Sequence, residues 1–410
     1  MKAVILAGGG SSRFWPLAEG GHKSLIRIAG KTLLEHTIES LIGNGVNERD
    51  LVIVHSPSNG GLIKDVLKER ELDFAVQKEP LGMGNALACA KENISGEFIV
   101  THAHHFDAGH ILSSYLRHIK NGPAVAVVKG DVADYGMVTV GKGFAKGIEE
   151  KTGKAKVGYR AVGFYILSEE FFGIYDRQKK HEYDFEAALS EYMEGADMRV
   201  IGMKDSVTLK YPWHLHDCAA KLLKSRSMIS SEARIAKNAV IKGNVVIDAG
   251  TFVNENAVIK GPVYIGRGCI IGNNAIVREN ADIEEGCIIG ANSEVARSIF
   301  QKGCSIHSGF FGDSIFDAGC KAGAGMITAN KRIDRGQIRC EVKGKKIETG
   351  RKRLGVIAGK NASFGIGCET MPGVLIGSDC SAYPGSIIKE NVPSGHEVRT
   401  EIKQVLRRRG

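Results

Sequence analysis

The sequence predicts two folds in series: a doubly wound α/β domain over residues 1–228 and a left-handed parallel β-helix over residues 229–410. Three observations carry this reading. Strand-like and helix-like stretches alternate along the first half. From 235 to 295 an aliphatic residue returns every six positions. Finally, 52 glycines against nine prolines point to many tight turns or close backbone approaches.

In the first half KAVILA reads as a buried strand. KTLLEHTIESLIGNG follows as an amphipathic helix ending in glycine, and LVIVHS as a second strand. EFIVTH and AVAVVKG repeat the strand signal, and WHLHDCAAKLLKSRS makes a closing helix. A sheet of this kind binds ligands beyond the carboxyl ends of its strands. The first such end carries Ala7, then Gly8-Gly9-Gly10-Ser11-Ser12-Arg13, with Lys23 ten residues on. Consecutive glycines let backbone N–H groups approach a phosphate, and the two cations add charge. The loop matches neither G-x-x-x-x-G-K-[ST] nor G-x-G-x-x-G, and a purely structural turn stays open on spacing alone.

In the second half the series runs Ile235, Ile241, Ile247, Val253, Ile259, Ile265, Ile271, Val277, Ile283, Ile289 and Val295. Four residues after most of these stands a small one, Cys269 and Cys287 among them. Neither the 3.6 nor the 2.0 period generates that pattern. Six residues make one short flat strand and one corner, and three such faces close a triangular coil. The pattern breaks after Val295 and returns as Ala358, Phe364, Thr370, Ile376, Ala382 and Ile388, with Cys368 and Cys380 in the small position. Residues 300–355 are read as carrying insertions, where function is expected.

Composition narrows the class. With 43% hydrophobic and 25% charged residues the chain is globular rather than disordered. No stretch of eighteen apolar residues exists, and the N-terminus reads as a strand rather than a signal peptide, so no membrane partner is expected. Nine cysteines without a C-x-x-C pair suggest a reducing, cytoplasmic setting. The net charge of +9 suits phosphate-bearing small molecules, and no nucleic-acid partner is expected. Ten basic residues crowd 331–353, either a solvated loop or a seat for phosphates.

GGGSSRFWPL, HKSLIRIAGKTLLEH, VQKEPLGMGNAL, YGMVTV and IEEK resemble the sugar-1-phosphate nucleotidylyltransferases. HSGFFGDSIF and AGAGMITANKRID resemble the acetyltransferase half of the bifunctional enzymes, which acetylate glucosamine-1-phosphate and then couple it to UTP. The resemblance spans the whole chain and is strongest to the archaeal-type bifunctional sugar-1-phosphate nucleotidylyltransferase/acetyltransferases. It implies a nucleotidyltransferase-like first domain in which Ala7 to Arg13 wrap a nucleoside triphosphate (UTP or dTTP) and Lys23 contacts phosphate. It further implies that Gln77 reads the base before the Gly82 turn, and that Gly136, Glu150 and Lys151 lie near the sugar. In the second domain His307 would take a proton from the sugar amine and Asn330 would hold the amino sugar. Phe310 and Lys321 stand where that family has a tyrosine and an asparagine. Lys331 with the basic segment, and the coils from Ala358 to Tyr383, would seat acetyl-CoA. A homotrimer or hexamer is implied as well.

The metal ligands depart from the family pattern. His104 stands where one aspartate is expected and, aligning on Tyr211-Pro212-Trp213, Thr208 stands for the other. Ala161 and His22 replace an asparagine and a proline. Mg²⁺ prefers hard oxygen ligands, whereas imidazole suits softer ions. His102, His104, His105, Asp107 and His110 cluster within nine residues, with His104 and Asp107 the metal candidates. A rebuilt metal site, direct imidazole contact with phosphate or ribose, and drift after lost catalysis all remain open. The preferred reading is an amino-sugar-phosphate acetyltransferase with an impaired nucleotidyl site. The alternatives are retention of both activities, or a silent scaffold such as the exchange-factor subunits of eukaryotic translation initiation.

Overall fold

The computed structural model describes residues 1–132, 135–150, 157–181, 183–401 and 406–407. They form two compact units, one of Met1–Ser11, Gly20–Leu25 and Thr32–Thr208, the other of Ser12–Glu19, Ile26–Lys31 and Leu209–Gly410. No helix among the described residues is long and apolar enough to cross a membrane.

The first unit is a nine-stranded mixed sheet with helices on both faces. Lys2–Leu6 lies between Leu51–His55 and Glu97–His102, parallel to both, and Asp73–Val76 extends the parallel part beyond Leu51–His55. Alternation along Lys2–Leu6 feeds two cores. Ala3 and Ile5 join Leu34, Ile38 and Ile111 on one face, while Val4 and Leu6 join Phe171, Phe185 and Leu189 on the other. The helix Leu33–Ile42 starts where Thr32 and Glu35 form a capping box. Because four parallel strands end on one edge, the loops after Leu6, His55, Val76 and His102 open together.

The second unit coils through three parallel sheets of eight, nine and eight strands, a hexapeptide-repeat β-helix beginning at Met228–Ile229. Ile247 pairs with Ile265 and Ile265 with Ile283, eighteen residues per coil. The pattern does not break after Val295. Phe300, Ile306, Phe311 and Phe316 take the inward positions, but Ile283 pairs with Phe300 seventeen residues on, and Phe300 with Phe316 sixteen on. Corners can lose a residue because only the flats must keep their ladder bonds. Larger side chains fill the tighter coils, with Phe300 and Phe316 stacked at 4.8 Å. The expected insertions over 300–355 reduce to one excursion, since Phe316 pairs next with Ala358, forty-two residues on. That excursion holds the basic stretch and the hairpin Arg339–Val342/Lys345–Glu348.

One sheet is covered by the chain itself. Its outward positions Tyr264, Asp282, Ile299, Ile315, Ile357 and Leu375 are buried. Segment Ile26–Lys31 docks there: Asp282 accepts from the Ala29 N–H at 2.8 Å, Glu284 from the Gly30 N–H at 2.9 Å, and Gln301 exchanges two bonds with the Arg27 backbone. Burial pushes both carboxyls up, Glu284 to about 7, and a proton shared between them gives the otherwise unpartnered Asp282 Oδ2 a role. Arg27, Arg226, Asp248 and the Tyr264 hydroxyl are the other charged or titratable groups around the pair.

A raised carboxyl pKa means that the folded state binds the proton more tightly than the unfolded chain. Its stabilisation is therefore full below about pH 4.5 and is lost as the pH rises towards and through 7. Glu284→Gln imitates the protonated pair. The gap in urea midpoint between Glu284→Gln and wild type should shift in favour of the variant from pH 5 to pH 8. A gap that stays constant would refute the shared proton.

Candidate functional site

Two groups of chemistry-bearing residues emerge, one in each unit. In the first, the Ala7 N–H donates to Val54 O at 2.7 Å and starts the glycine loop off the sheet edge. Gly9 and Gly10 are exposed, as a backbone cradle requires. Gly8 meets the buried Gln77, whose side-chain oxygen would lie 2.5 Å from a Cβ at that position. The Gln77 amide donates to Gly82 O at 2.9 Å and to Asn85 Oδ1 at 3.0 Å, so it is aimed before any ligand arrives. The Ser11 hydroxyl accepts from the Lys23 N–H at 3.1 Å, tying the loop to the turn that carries Lys23. Gly136 lies against Glu150, where a Cβ would sit 2.7 Å from Oε1. Arg13 is exposed and groups with the second unit, and Lys151 lies outside the described residues.

The strand Glu97–His102 delivers the histidines. The His105 N–H bonds back to His102 O at 3.1 Å, and this turn folds three imidazoles together. The centroids of His102 and His104 are 5.4 Å apart with stacked rings, and those of His104 and His105 are 4.9 Å apart. Gly163, at φ 75°, makes room, since a Cβ there would lie 2.4 Å from the His102 ring. Burial first, and then the Lys23 charge, pushes His22 and His105 down to about 3. Burial and the neighbouring His105 push His102 down to about 3, and burial with Lys23 pushes His104 well below its ordinary value. These imidazoles are neutral at physiological pH.

The metal candidates are His104 and Asp107. Among the described residues no group of three His, Cys, Asp or Glu side chains can hold an ion. Asp107, the second candidate ligand, accepts instead from the Ser206 hydroxyl at 3.3 Å. The Thr208 hydroxyl accepts from Arg160 Nη1 at 2.8 Å. With Asp107 the single carboxylate beside three imidazoles and the Thr208 hydroxyl, this donor set is a poor fit for hard-ligand Mg²⁺.

In the second unit His307 sits exposed at the corner between Ser305–Ile306 and Gly309–Gly312, with its N–H held by Ala322 O at 2.9 Å. Among the described residues nothing bonds its ring. On the next flat, a Cβ at Gly312 would lie 2.6 Å from Asn330 Nδ2 and 2.7 Å from the Phe310 ring, so these three converge. Sequence reasoning missed Asp313 as the organiser. It accepts from Asn330 Nδ2 at 2.5 Å and takes Arg297 through Nε at 2.7 Å and Nη2 at 3.0 Å. Its place in HSGFFGD was the only signal. Lys321 and Lys331 are exposed, and Tyr383 stacks under Arg399 at 4.1 Å. Ala358 needs correction: it is wholly buried in the inward ladder, so its side chain cannot touch a coenzyme.

The nucleotidyl transferase model matches residues 2–207, and the bacterial transferase hexapeptide (six repeats) model matches 262–297. The chain is 31% identical to the bifunctional protein GlmU of Methanocaldococcus jannaschii, covering 100% of both. It is 35% identical to that of Methanococcus maripaludis, over 96% of this chain and 95% of the other. It is 29% identical to a bifunctional sugar-1-phosphate nucleotidylyltransferase/acetyltransferase of Sulfurisphaera tokodaii, over 96% and 99%.

Proposed function

The chain belongs to the nucleotidyl transferase family, in the form joined to hexapeptide repeats, and on that premise we propose that it transfers acetyl from acetyl-CoA to glucosamine-1-phosphate or a similar amino-sugar phosphate. It is an enzyme of the sugar-phosphate nucleotidyltransferase and acetyltransferase type. The observation that carries the acetyl-transfer reading is His307, exposed at a coil corner with no ring partner among the described residues, in the same HSGFFGD motif as Phe310 and as Asp313, the carboxylate that holds Asn330. An ammonium cannot attack a thioester. In this reading the imidazole takes the amine proton while the C–N bond forms; the C–S bond then breaks and the coenzyme thiolate leaves. Exposed Lys321, Lys331 and the rest of the 331–353 segment supply charge for the coenzyme phosphates. The first unit holds a nucleotide or sugar phosphate through the glycine loop, Lys23 and Gln77, with magnesium-dependent transfer impaired. Thioester loss from acetyl-CoA, measured separately from UTP-dependent pyrophosphate release, tests this directly. No thioester loss with any amino-sugar phosphate would reject the acetyl-transfer assignment.

We infer that the chain assembles as a homotrimer or hexamer with His307 at a subunit boundary, a reading supported by two β-helix faces that carry exposed apolar side chains. Phe252, Ile270 and Ile288 line one face and Val240, Ile276, Ile327 and Ile387 the other, all more than a third exposed, with the His307 corner between the two faces. Light scattering at micromolar concentration should give at least three times the chain mass. Ile288→Glu should lower both that mass and acetyl transfer. A wild-type monomer with full turnover would count against the boundary site.

A further inference from the structure

Arg160 is the least explained charged side chain of the first unit. It lies half-buried on the strand Val157–Ser168, and its guanidinium donates to Thr208 Oγ1 at 2.8 Å and stacks over the Tyr135 ring at 4.9 Å. Tyr135 directly precedes Gly136, and Thr208 stands where a metal-binding carboxylate was expected. Among the described residues no carboxylate pairs with Arg160. One Nη and the stacking face are thus used to aim the group, and the remaining N–H donors are left over. Within electrostatic reach is the buried His105, whose Nδ1 has no partner, and the backbone of Lys23 is bound to the glycine loop. The charges of both Arg160 and Lys23 bear on His105.

We propose that Arg160, together with Lys23 and His105 Nδ1, forms a metal-free seat for a phosphate group, replacing the divalent cation by fixed protein charge. The proposal rests on the reading of the first unit as a nucleotide or sugar-phosphate binder and names the residue that holds the anion. A guanidinium aimed by two partners offers spare planar donors to phosphate oxygens, and an imidazole N–H adds a third. The ligand class is a phosphate monoester or a polyphosphate. Such chemistry reaches the site either as a nucleotide or as a sugar-1-phosphate.

The test uses the full chain in calorimetric titrations with UTP, uridine and glucose-1-phosphate, each in EDTA and in Mg²⁺. UTP or glucose-1-phosphate should bind in EDTA with an affinity within about threefold of that in Mg²⁺, and uridine should bind more weakly than UTP; whichever phosphate binds identifies the source. Arg160→Gln should weaken EDTA binding about 10- to 100-fold, the range for a lost charged hydrogen bond. Arg160→Lys should recover part of it, and raising salt should weaken wild type more than Arg160→Gln. A purely structural arginine would show neither recovery nor a changed salt slope. If phosphate ligands bind only with Mg²⁺, the metal-free seat is wrong while the nucleotide-binding reading stands. If they bind under neither condition, both are wrong. Unchanged EDTA binding in an Arg160→Gln protein also overturns the proposal.

Discussion

His307→Ala lowers acetyl transfer to glucosamine-1-phosphate by about 10²–10⁴-fold, the range for removing a general base. The effect falls on turnover because the amine must lose a proton as it attacks, and among the described residues no side chain is bonded to the His307 ring that could take over that task. The Michaelis constants should change little, since in the proposed site the amino sugar is held by Asn330 and the coenzyme phosphates by Lys331 and the basic segment. Phe310→Tyr should leave the rate equal or raise it, because it restores the hydroxyl that the resemblance places there, on a ring that packs at Gly312 as Asn330 does. Wild-type turnover in His307→Ala with acetyl-CoA and every amino-sugar phosphate tried would end the assignment.

The β-helix was legible wherever its coil held a constant length. From Ile235 to Val295 each flat is worth six residues, so the inward ladder repeats in the text as it does in space. The same ladder continues through Phe300, Ile306, Phe311 and Phe316, but shortened corners mix spacings of five and six and phenylalanines replace most of the aliphatic residues. A periodicity search sees a break where the hydrogen-bond ladder sees none. Cysteines in the small position were readable because a free thiol packs as a small apolar group; Cys269, Cys287, Cys368 and Cys380 are all buried.

The site was legible only in part. Strand ends announced the glycine loop, and the resemblance supplied Gln77, His307 and Asn330. The groups that hold these residues in place were not readable, because their partners come from distant segments. Arg160 depends on Thr208, 48 residues on, and Asn330 depends on Asp313, 17 residues before it. The histidine cluster was legible as a cluster but not in its role. Close spacing of His102, His104, His105 and Asp107 suggested ligands, yet the turn after His102 stacks the rings together and turns Asp107 to Ser206. Spacing cannot report ring orientation, and a metal site needs lone pairs that converge.

Magnesium-dependent nucleotidyl transfer should therefore be at least about 10³-fold slower than acetyl transfer by the same preparation, even where UTP binds. In that reaction an oxygen of the sugar phosphate attacks the α-phosphorus, and the bond to the departing pyrophosphate breaks. A bridging Mg²⁺ is worth several kcal/mol of charge stabilisation there, and a loss of that size corresponds to about 10³-fold or more. Here the first expected ligand position holds the neutral, buried His104, and the second holds Thr208, already bonded to Arg160. In the proposed seat Lys23 and Arg160 hold a phosphate in its ground state, and the same charges repel an incoming dication. Pyrophosphate release from UTP or dTTP with a series of sugar phosphates measures this directly. Replacing His104 and Thr208 together by aspartate should raise Mg²⁺-dependent release above that of the wild type, because it supplies two hard oxygen ligands. Robust wild-type release with Mg²⁺ would sink the expectation. Release only with Mn²⁺, Zn²⁺ or Co²⁺, abolished in His104→Ala, would instead make the imidazoles ligands of a softer ion and overturn the metal-free reading of this edge of the sheet.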